Sequence, residues 1–310
     1  MSANEAIGLD ANKKRRLGII GGSGFYNLPG LENARTVSVS TPFGEPSDDL
    51  ILGDIGTLPI AFLPRHGRGH RILPTEVNVR ANIYALKSVG CTEIVSFSAA
   101  GSLAAGLPPG TFVLPTQFID RTFARSKTFF GDGIVGHVAF ADPVCNRLGD
   151  VVNKAASEID IECARGGSYV VMEGPQFSTR AECELYRSWG ASIIGMTALP
   201  EAKLAREAEL CYTLVAMVTD FDCWHDEVKD VTAHTVAETM AEISKQALSM
   251  VAGIASHVSQ MPVGACEQGC GCALDGAIMT DPAAISPQVE ERLAPILNRF
   301  KSMQPCDLSL

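Results

Sequence analysis

Short apolar runs alternate along the chain with longer amphipathic stretches. Runs rich in β-branched and aromatic residues predict strands, and they cover residues 17–22, 51–54 with 58–63, 93–98, 111–114, 169–172, 192–196 and 213–219. Apolar residues spaced by three and four predict helices, and they cover residues 76–89, 147–159, 179–189 and 199–209. This alternation predicts a single α/β domain with a central mixed β-sheet flanked by helices.

The clearest helical pattern comes late in the chain. Apolar side chains recur at steps of three and four from Val236 to Val258, which predicts a long helix whose apolar stripe faces the core. After residue 260 the chain breaks into short pieces punctuated by Gly, Cys and Pro, with a last helix predicted over residues 287–300. The predicted organisation is a flexible lead-in (1–16), a main domain (17–260) and a C-terminal appendage (261–310).

Composition and charge narrow the possible functions. The 310 residues are 46% hydrophobic and 19% charged, with a formal net charge of −10, as is typical of a globular protein. An acidic protein lacks the cations that bind nucleic acid or an anionic membrane. No run is long enough to span a bilayer, and no signal-peptide core follows the basic residues Lys13 to Arg16. We expect a cytoplasmic protein with neither partner, and a basic segment that is a solvated lead-in rather than a nuclear signal.

Three predicted strands end in turns suited to an anion. The first turn, Gly-Gly-Ser-Gly, carries Ser23. It lacks the third glycine of the dinucleotide fingerprint, the acidic residue about twenty positions on and the Lys of a phosphate-binding P-loop. A plain tight turn is the alternative. The second turn, Pro-Arg-His-Gly-Arg-Gly-His, concentrates positive charge at Arg65 and His66. Arginine suits an oxyanion and repels a metal ion, and a solvated loop is the alternative.

The third turn contains Ser98 and Ala99 in a run of small residues. Ligands bind α/β sheets where strands end, so three such turns together predict one anion site. A later apolar strand is followed by Asp220 and Asp222. With no third hard ligand nearby, this pair favours hydrogen bonding over metal binding. One close carboxyl can stay protonated and act as a general acid, and a solvent-facing acidic turn is the alternative.

Nine motifs in order carry a family resemblance: GIIGGSGFY, TPFGEPSD, LPRHGRGH, ANIYAL, SAAGSL, QFIDRT, EGPQFSTRAE, GMTALPEA and TDFDCW. Over residues 17–260 the chain resembles the methylthioadenosine phosphorylases of the trimeric purine nucleoside phosphorylase class. The resemblance implies that family's α/β fold and a homotrimer, possibly paired into hexamers, with active sites at subunit boundaries. It implies phosphate-dependent cleavage of methylthioadenosine to adenine and 5-methylthioribose-1-phosphate, in purine and methionine salvage. Phosphate is then a co-substrate, and no cofactor or metal is expected.

The resemblance also implies a role for individual residues. Those expected to hold phosphate are Ser23, Arg65, His66, Ser98, Ala99 and Thr197. Those expected around the nucleoside are Met196 at the ribose, Phe177 and Ser178 at the base, Val236 at the 5′ wall, and His137 reaching the 5′ end from an adjacent subunit. Asp220 would donate a proton to N7 of the base, with Asp222 helping to keep it protonated by like-charge repulsion.

The family resemblance also implies which nucleosides are substrates. Members that act on 6-oxopurines place Asn where this chain has Asp220, so we expect a 6-aminopurine substrate. Small Ala233 and Ala237 and polar His234 flank Val236, so we also expect appreciable adenosine cleavage. The alternative within the family is a phosphorylase that prefers adenosine or 6-oxopurine nucleosides. A nicotinamide-dependent oxidoreductase and a silent nucleotide-binding subunit are the rivals outside it.

The ten cysteines divide into two groups. Those in or beside regular elements, which include Cys91, Cys163, Cys183 and Cys223, are predicted to be small buried hydrophobes. The Cys270-Gly-Cys272 pair, with Cys266 nearby, resembles a C-terminal Cys-x-Cys that can form a disulfide in some family members. This resemblance implies a redox-capable clasp on the appendage, and zinc is the weaker alternative because few further soft ligands are close in sequence.

Overall fold

The computed structural model describes residues 15–22, 25, 28–225, 232–262 and 266–302. These residues contain eleven strands: β1 Leu17–Gly21, β2 Glu32–Val37, β3 Leu50–Ile55, β4 Leu58–Pro64, β5 Glu93–Ser102, β6 Phe112–Leu114, β7 Gln117–Arg121, β8 Cys163–Arg165, β9 Ser168–Met172, β10 Ala191–Gly195 and β11 Cys211–Asp220. They also contain seven α-helices: α1 Val79–Ser88, α2 Asn146–Ser157, α3 Arg180–Ser188, α4 Ala198–Glu207, α5 Ala233–Gln260, α6 Pro287–Arg292 and α7 Ala294–Ser302.

All the strands belong to one mixed sheet that branches at β5. One path runs β2-β3-β4-β1-β5-β10-β9-β7, and β11 also pairs with β5 and carries β6 and then β8. Four adjacent strands run parallel to one another in the order β4-β1-β5-β11, whereas β10 runs antiparallel to β5. The predicted α/β domain with a central mixed sheet is therefore confirmed, and four parallel strands end at one edge.

Both faces of the central strands are buried, which explains their unbroken apolar sequence. On β11, Leu214 and Ala216 pack in one cluster with α1 and α4, while Val215 and Met217 pack in another with α2 and α5. Because successive strand residues point to opposite faces, the sheet is covered by helices on both sides. The long helix α5 presents the predicted apolar stripe to the second cluster, from Met240 to Val258.

Several sequence predictions differ from the structure in detail. Strand β5 continues through Ser102 instead of turning after Ser98, because β11 pairs with it as far as Gly101 and β10 pairs at Gly101 and Ser102. The predicted last helix is two helices, α6 and α7, separated at Leu293. Strand β2 escaped prediction because nearly all its residues are exposed, so it has no apolar alternation.

Arg15 belongs to the basic segment before β1 that is predicted to be solvated, but its side chain is buried. Its side chain is 7% exposed, pairs with Glu93 at 3.2 Å and donates a hydrogen bond to the carbonyl of Val258 at 2.8 Å. Arg16 donates to the carbonyl of Ile60. Two guanidinium groups therefore attach the chain before β1 to the sheet and to the end of α5. Lys13 and Lys14 lie outside the described residues.

Residues 266–302, the C-terminal segment, share the core of the main domain. Leu274, Ile296 and Leu297 are at most 1% exposed and pack in the same cluster as α1 and α4. The division of the chain at residue 260 stays a prediction from sequence texture. None of the described helices combines the length and the apolar character needed to cross a membrane.

The cysteines depart from the prediction in the C-terminal segment. Cys91 and Cys183 are buried as expected, whereas Cys163 and Cys223 are half-buried. Cys270 is a buried free cysteine. The hypothesised pairing of Cys270 with Cys272 is therefore wrong, whereas Cys272 itself is disulfide-bonded.

Candidate active site

An open cavity with a volume of about 190 Å³ lies at the edge where the parallel strands end. Arg65 and His66 follow β4, Ser98 and Ala99 lie near the end of β5, and Asp220 ends β11. The cavity is lined by Gly22, Arg65, His66, His70, Pro74, Ser98, Ala99, Ala100, Gly101, Met172, Phe177, Ile194, Gly195, Met196, Thr197, Thr219, Asp220, Asp222 and Val236. The fold thus brings together most of the residues that the family resemblance indicated.

Three predicted site residues are not among these lining residues. Ser23 lies outside the described residues. Ser178 lies beside the cavity, with its Oγ 3.7 Å from Sδ of the lining residue Met172. His137 is held through its backbone, whose amide donates to the carbonyl of Ala277 at 2.9 Å. Its predicted approach to the 5′ end of a nucleoside concerns an adjacent subunit and stays a prediction.

Two hydroxyl groups meet at one end of the cavity. The Oγ of Ser98 and the Oγ1 of Thr197 lie 2.6 Å apart. Thr197 occupies the N-cap position of α4, but its side chain makes no capping hydrogen bond. Its hydroxyl therefore faces Ser98 instead of the helix backbone, and the pair offers both donors and acceptors to a ligand.

Arg65 lies in the cavity wall at the same end, and its positive charge is paired with the carboxylate of Glu201. Its Nε is 2.5 Å from Oε1 of Glu201, and its other nitrogens donate to the hydroxyl of Ser96 and the carbonyl of Phe97. Tyr212 donates a further hydrogen bond to the Glu201 carboxylate at 3.1 Å. The positive charge expected to serve an anion here is therefore largely offset inside the protein. Glu201 was missed as a partner, although it belongs to the GMTALPEA motif.

His66 is neutral at ordinary pH. Burial, and then the charge of Arg65, lower the pKa of its imidazole to about 4. Its Nδ1 lies 2.9 Å from the carbonyl of Ile72, and a carbonyl can only accept, so Nδ1 carries the proton. This leaves Nε2 as the accepting atom of the ring. The ring also stacks on His70, with centroids 4.4 Å apart.

Two neighbouring carboxyl groups line the cavity, the half-buried Asp220 and the buried Asp222. Asp220 accepts hydrogen bonds from the Thr219 hydroxyl at 2.7 Å and the Asp222 amide at 2.8 Å. Burial raises the pKa of Asp220. Burial also raises the pKa of Asp222, and the nearby charge of Asp220 adds to that rise. Burial, more than like-charge repulsion, is therefore what favours the protonated form of Asp220.

The two carboxyl groups differ in how well their oxygens are satisfied. The Oδ2 of Asp222 is buried and has no hydrogen-bond partner among the residues that the structure describes. A buried oxygen of this kind carries a free-energy penalty until a donor reaches it. Asp222 also has a positive φ of 51°, a strained conformation for a residue with a side chain. The strained, unsatisfied carboxyl is typical of a ligand site.

Arg125 holds the part of the cavity wall that contains Met196 and Thr197. Its Nε pairs with Glu173 at 2.9 Å, and one of its terminal nitrogens donates to the carbonyls of Met196 and Leu199 at 2.5 and 2.8 Å. The turn that carries Met196 and Thr197 is therefore tied to the segment after β9. Arg125 was missed because nothing in its sequence neighbourhood distinguishes it from a surface arginine.

Sequence comparisons identify the family to which the chain belongs. Residues 16–256 match the sequence profile of the phosphorylase superfamily. The chain belongs to the phosphorylase superfamily. Within the superfamily it is 50% identical over 290 residues to the S-methyl-5'-thioadenosine phosphorylase of Rhodospirillum rubrum, covering 94% of this chain and 98% of that one. It is 49% identical to the Geobacter sulfurreducens protein of the same name, covering 92% and 98%.

Solved structures of superfamily members agree with the fold. A methylthioadenosine phosphorylase from an antarctic soil metagenomic library has a TM-score of 0.86 and 45% identity, with 92% of this chain and 99% of that chain covered. The Schistosoma mansoni methylthioadenosine phosphorylase in complex with adenine has a TM-score of 0.78 and 38% identity, with 80% and 93% covered. The family predicted from the nine motifs is confirmed.

Proposed function

We propose that this chain catalyses the phosphorolysis of S-methyl-5'-thioadenosine to adenine and 5-methylthioribose-1-phosphate. The observation that carries the proposal is one cavity that contains a hydroxyl pair, Ser98 and Thr197, and two carboxyl groups of raised pKa, Asp220 and Asp222. Relatives about half identical over nearly their whole length carry the name of this activity. No observation favours an oxidoreductase or a silent binding subunit.

The reaction needs two kinds of help that the cavity offers. An oxygen of phosphate forms a bond to the anomeric carbon of the ribose as the bond from that carbon to N9 breaks. The electron pair of the broken bond stays on the purine, so a proton or hydrogen bond at N7 lowers the barrier. A protonated Asp220 supplies it, and phosphate stabilises the positive charge that develops on the sugar.

Phosphate binding rests on hydroxyls and backbone more than on Arg65. The guanidinium of Arg65 already donates hydrogen bonds to Glu201, Ser96 and Phe97. We assign it chiefly to holding β5 in place, so that Ser98 and Thr197 are oriented before phosphate arrives. Positioning of this kind is what an attacking phosphate requires, because phosphate is already a nucleophile. His66 adds an acceptor for a hydroxyl of the phosphate or the ribose.

The base end of the cavity favours a 6-aminopurine. The unsatisfied Oδ2 of Asp222 is an acceptor that suits the exocyclic amine of adenine, whereas the carbonyl oxygen of a 6-oxopurine offers no proton. Phe177 lines the same cavity and is partly exposed, as a residue that packs on a base must be before the base arrives. Val236 offers an apolar contact for the methylthio group. The homotrimer, the salvage role and the cytoplasmic location stay predictions from the resemblance.

Base release from three nucleosides tests the proposal. We expect adenine release from methylthioadenosine that requires phosphate, slower but appreciable release from adenosine, and little from inosine. Release without phosphate would indicate hydrolysis and overturn the proposal. Inosine cleaved as fast as methylthioadenosine would favour the 6-oxopurine alternative.

A further inference from the structure

Four cysteines from three distant parts of the chain meet in the core, away from the active site. Cys145 precedes α2, Cys211 begins β11, and Cys266 and Cys270 belong to the C-terminal segment. All four are buried, with exposures of 0 to 4%. Cys211 lies at the opposite end of β11 from Asp220, which corresponds to about 30 Å along a ten-residue strand.

The sulfur atoms are arranged as around a single ion. All four Sγ atoms lie within 4.8 Å of one another, and those of Cys211 and Cys266 are 3.9 Å apart. A tetrahedral Zn²⁺ with Zn–S bonds of about 2.3 Å places its sulfurs about 3.8 Å apart. A disulfide needs about 2.05 Å, and all four cysteines are free. The spacing therefore fits four thiolates around one metal ion better than any disulfide.

The backbone around the sulfurs resembles that of structural zinc sites. Cys266 and Cys270 are separated by three residues, within the spacing that zinc-binding cysteine pairs show. The amide of Cys270 donates to the Cys266 sulfur at 3.2 Å, a hydrogen bond that favours a thiolate. The amide of Cys145 donates to the Tyr212 carbonyl at 2.8 Å. Backbone hydrogen bonds thus fix Cys145 on one side of the cluster, and Cys266 and Cys270 on the other.

A cation stands beside the cluster. Four thiolates around Zn²⁺ carry a net charge of −2, which burial makes unfavourable unless it is compensated. An Nη of Arg147 lies 3.6 Å from the Cys211 sulfur. The same guanidinium donates to the Pro262 carbonyl just before the C-terminal segment. Arg147 therefore offsets part of this charge and links the same chain segments.

We propose that these four cysteines bind one structural Zn²⁺ that fastens the C-terminal segment to α2 and β11. The four thiolates leave no open coordination position, so the ion has no catalytic role. The proposal replaces the expectation of no metal and the hypothesised pairing of Cys270 with Cys272. A tight cluster of hydrogen-bonded thiols without metal is the competing explanation.

Metal analysis of the full chain tests the proposal. Protein purified under reducing conditions and incubated with Zn²⁺ should retain one zinc per chain after gel filtration. Cys270→Ser and Cys266→Ser should reduce the retained zinc at least tenfold. Cys91→Ser is the matched control, because Cys91 is a buried free cysteine outside the cluster, and it should retain zinc as the wild type does.

Two further measurements do not depend on the variants folding well. Wild-type protein loaded with Co²⁺ should show the visible spectrum of a tetrahedral tetrathiolate site. Removal of zinc with a chelator should lower its Tm by several degrees. A reduced wild-type chain that retains no zinc, bound iron in place of zinc, or a disulfide among the four cysteines would each overturn the proposal. Equal zinc retention by Cys270→Ser would also overturn it.

Discussion

Arg65 and Glu201 form a buried ion pair directly behind the hydroxyl end of the cavity, with Nε 2.5 Å from Oε1 and both side chains at most 2% exposed. Burial removes both charges from water, and their mutual contact is the main compensation for that loss, aided by hydrogen bonds to neighbouring neutral groups. The pair joins the end of β4 to the first turn of α4, the helix that Thr197 caps. It therefore fixes the distance between two walls of the site.

Replacement Glu201→Gln should be strongly destabilising. It keeps the shape of the side chain but leaves the Arg65 charge buried and unpaired, which costs about 3–5 kcal/mol. Urea unfolding measures the change. Glu290→Gln is the control, because its pair with Lys301 is exposed and such pairs contribute at most about 1 kcal/mol. Equal effects of the two substitutions would refute the role given to the Arg65–Glu201 pair.

The contrast between Thr197 and Glu201 shows which parts of the site the sequence could predict. Thr197 and Asp220 follow apolar strands, and the ends of strands are where α/β sheets bind ligands. Glu201 acts through Arg65, 136 positions away, and only the folded chain brings them together. The same holds for the cysteines: the spacing of Cys266 and Cys270 is visible in the sequence, but their approach to Cys145 and Cys211 is not.

Replacement Asp220→Asn should lower kcat/KM for methylthioadenosine by about 10²–10⁴-fold, the usual contribution of a general acid. An amide can still donate a hydrogen bond to N7 but cannot transfer a proton to it. The ratio of inosine to methylthioadenosine cleavage should rise, because an amide can donate to a 6-oxo group. Steady-state kinetics measure both, with Asp160→Asn, an exposed residue after α2, as the control. Unchanged kinetics would remove Asp220 from the mechanism.

Gly101 leaves the space in which Asp220 lies. A Cβ at this position would stand 2.8 Å from Oδ1 of Asp220 and 3.2 Å from Ile194. Gly101→Ala should therefore displace the carboxyl and lower kcat/KM by on the order of 10²-fold, with a smaller effect on stability. Gly106→Ala provides the control, since a Cβ there meets no atom within 4 Å. If the two variants had equal activity, Asp220 would not depend on this close packing.

The pKa of His66 predicts an acid-sensitive fold. Its pKa is about 6.5 when unfolded and about 4 when folded, because burial and Arg65 disfavour the charged ring. The unfolded state therefore binds the extra proton first, and stability is lost as pH falls from 6.5 through 4, by at most about 3 kcal/mol. Unfolding of His66→Gln near pH 7 and pH 4.5 should show a smaller loss than the wild type. His234→Gln, at a site 81% exposed, should keep the wild-type loss.

Val236 tests how the 5′ end of the nucleoside is selected. It lies in the first turn of α5, lines the cavity and packs at the edge of the second core cluster. Val236→Thr keeps the shape but adds a hydroxyl to the wall, which favours the 5′-hydroxyl of adenosine over a methylthio group. A change of this kind shifts specificity by about tenfold, so the ratio of kcat/KM for methylthioadenosine over adenosine should fall by that factor. Thr239→Val, one turn further along α5 at a half-buried position that is not among the residues lining the cavity, should leave the ratio unchanged. A constant ratio in Val236→Thr would show that another part of the protein forms the apolar wall, and the methylthio preference would then not reside in this helix.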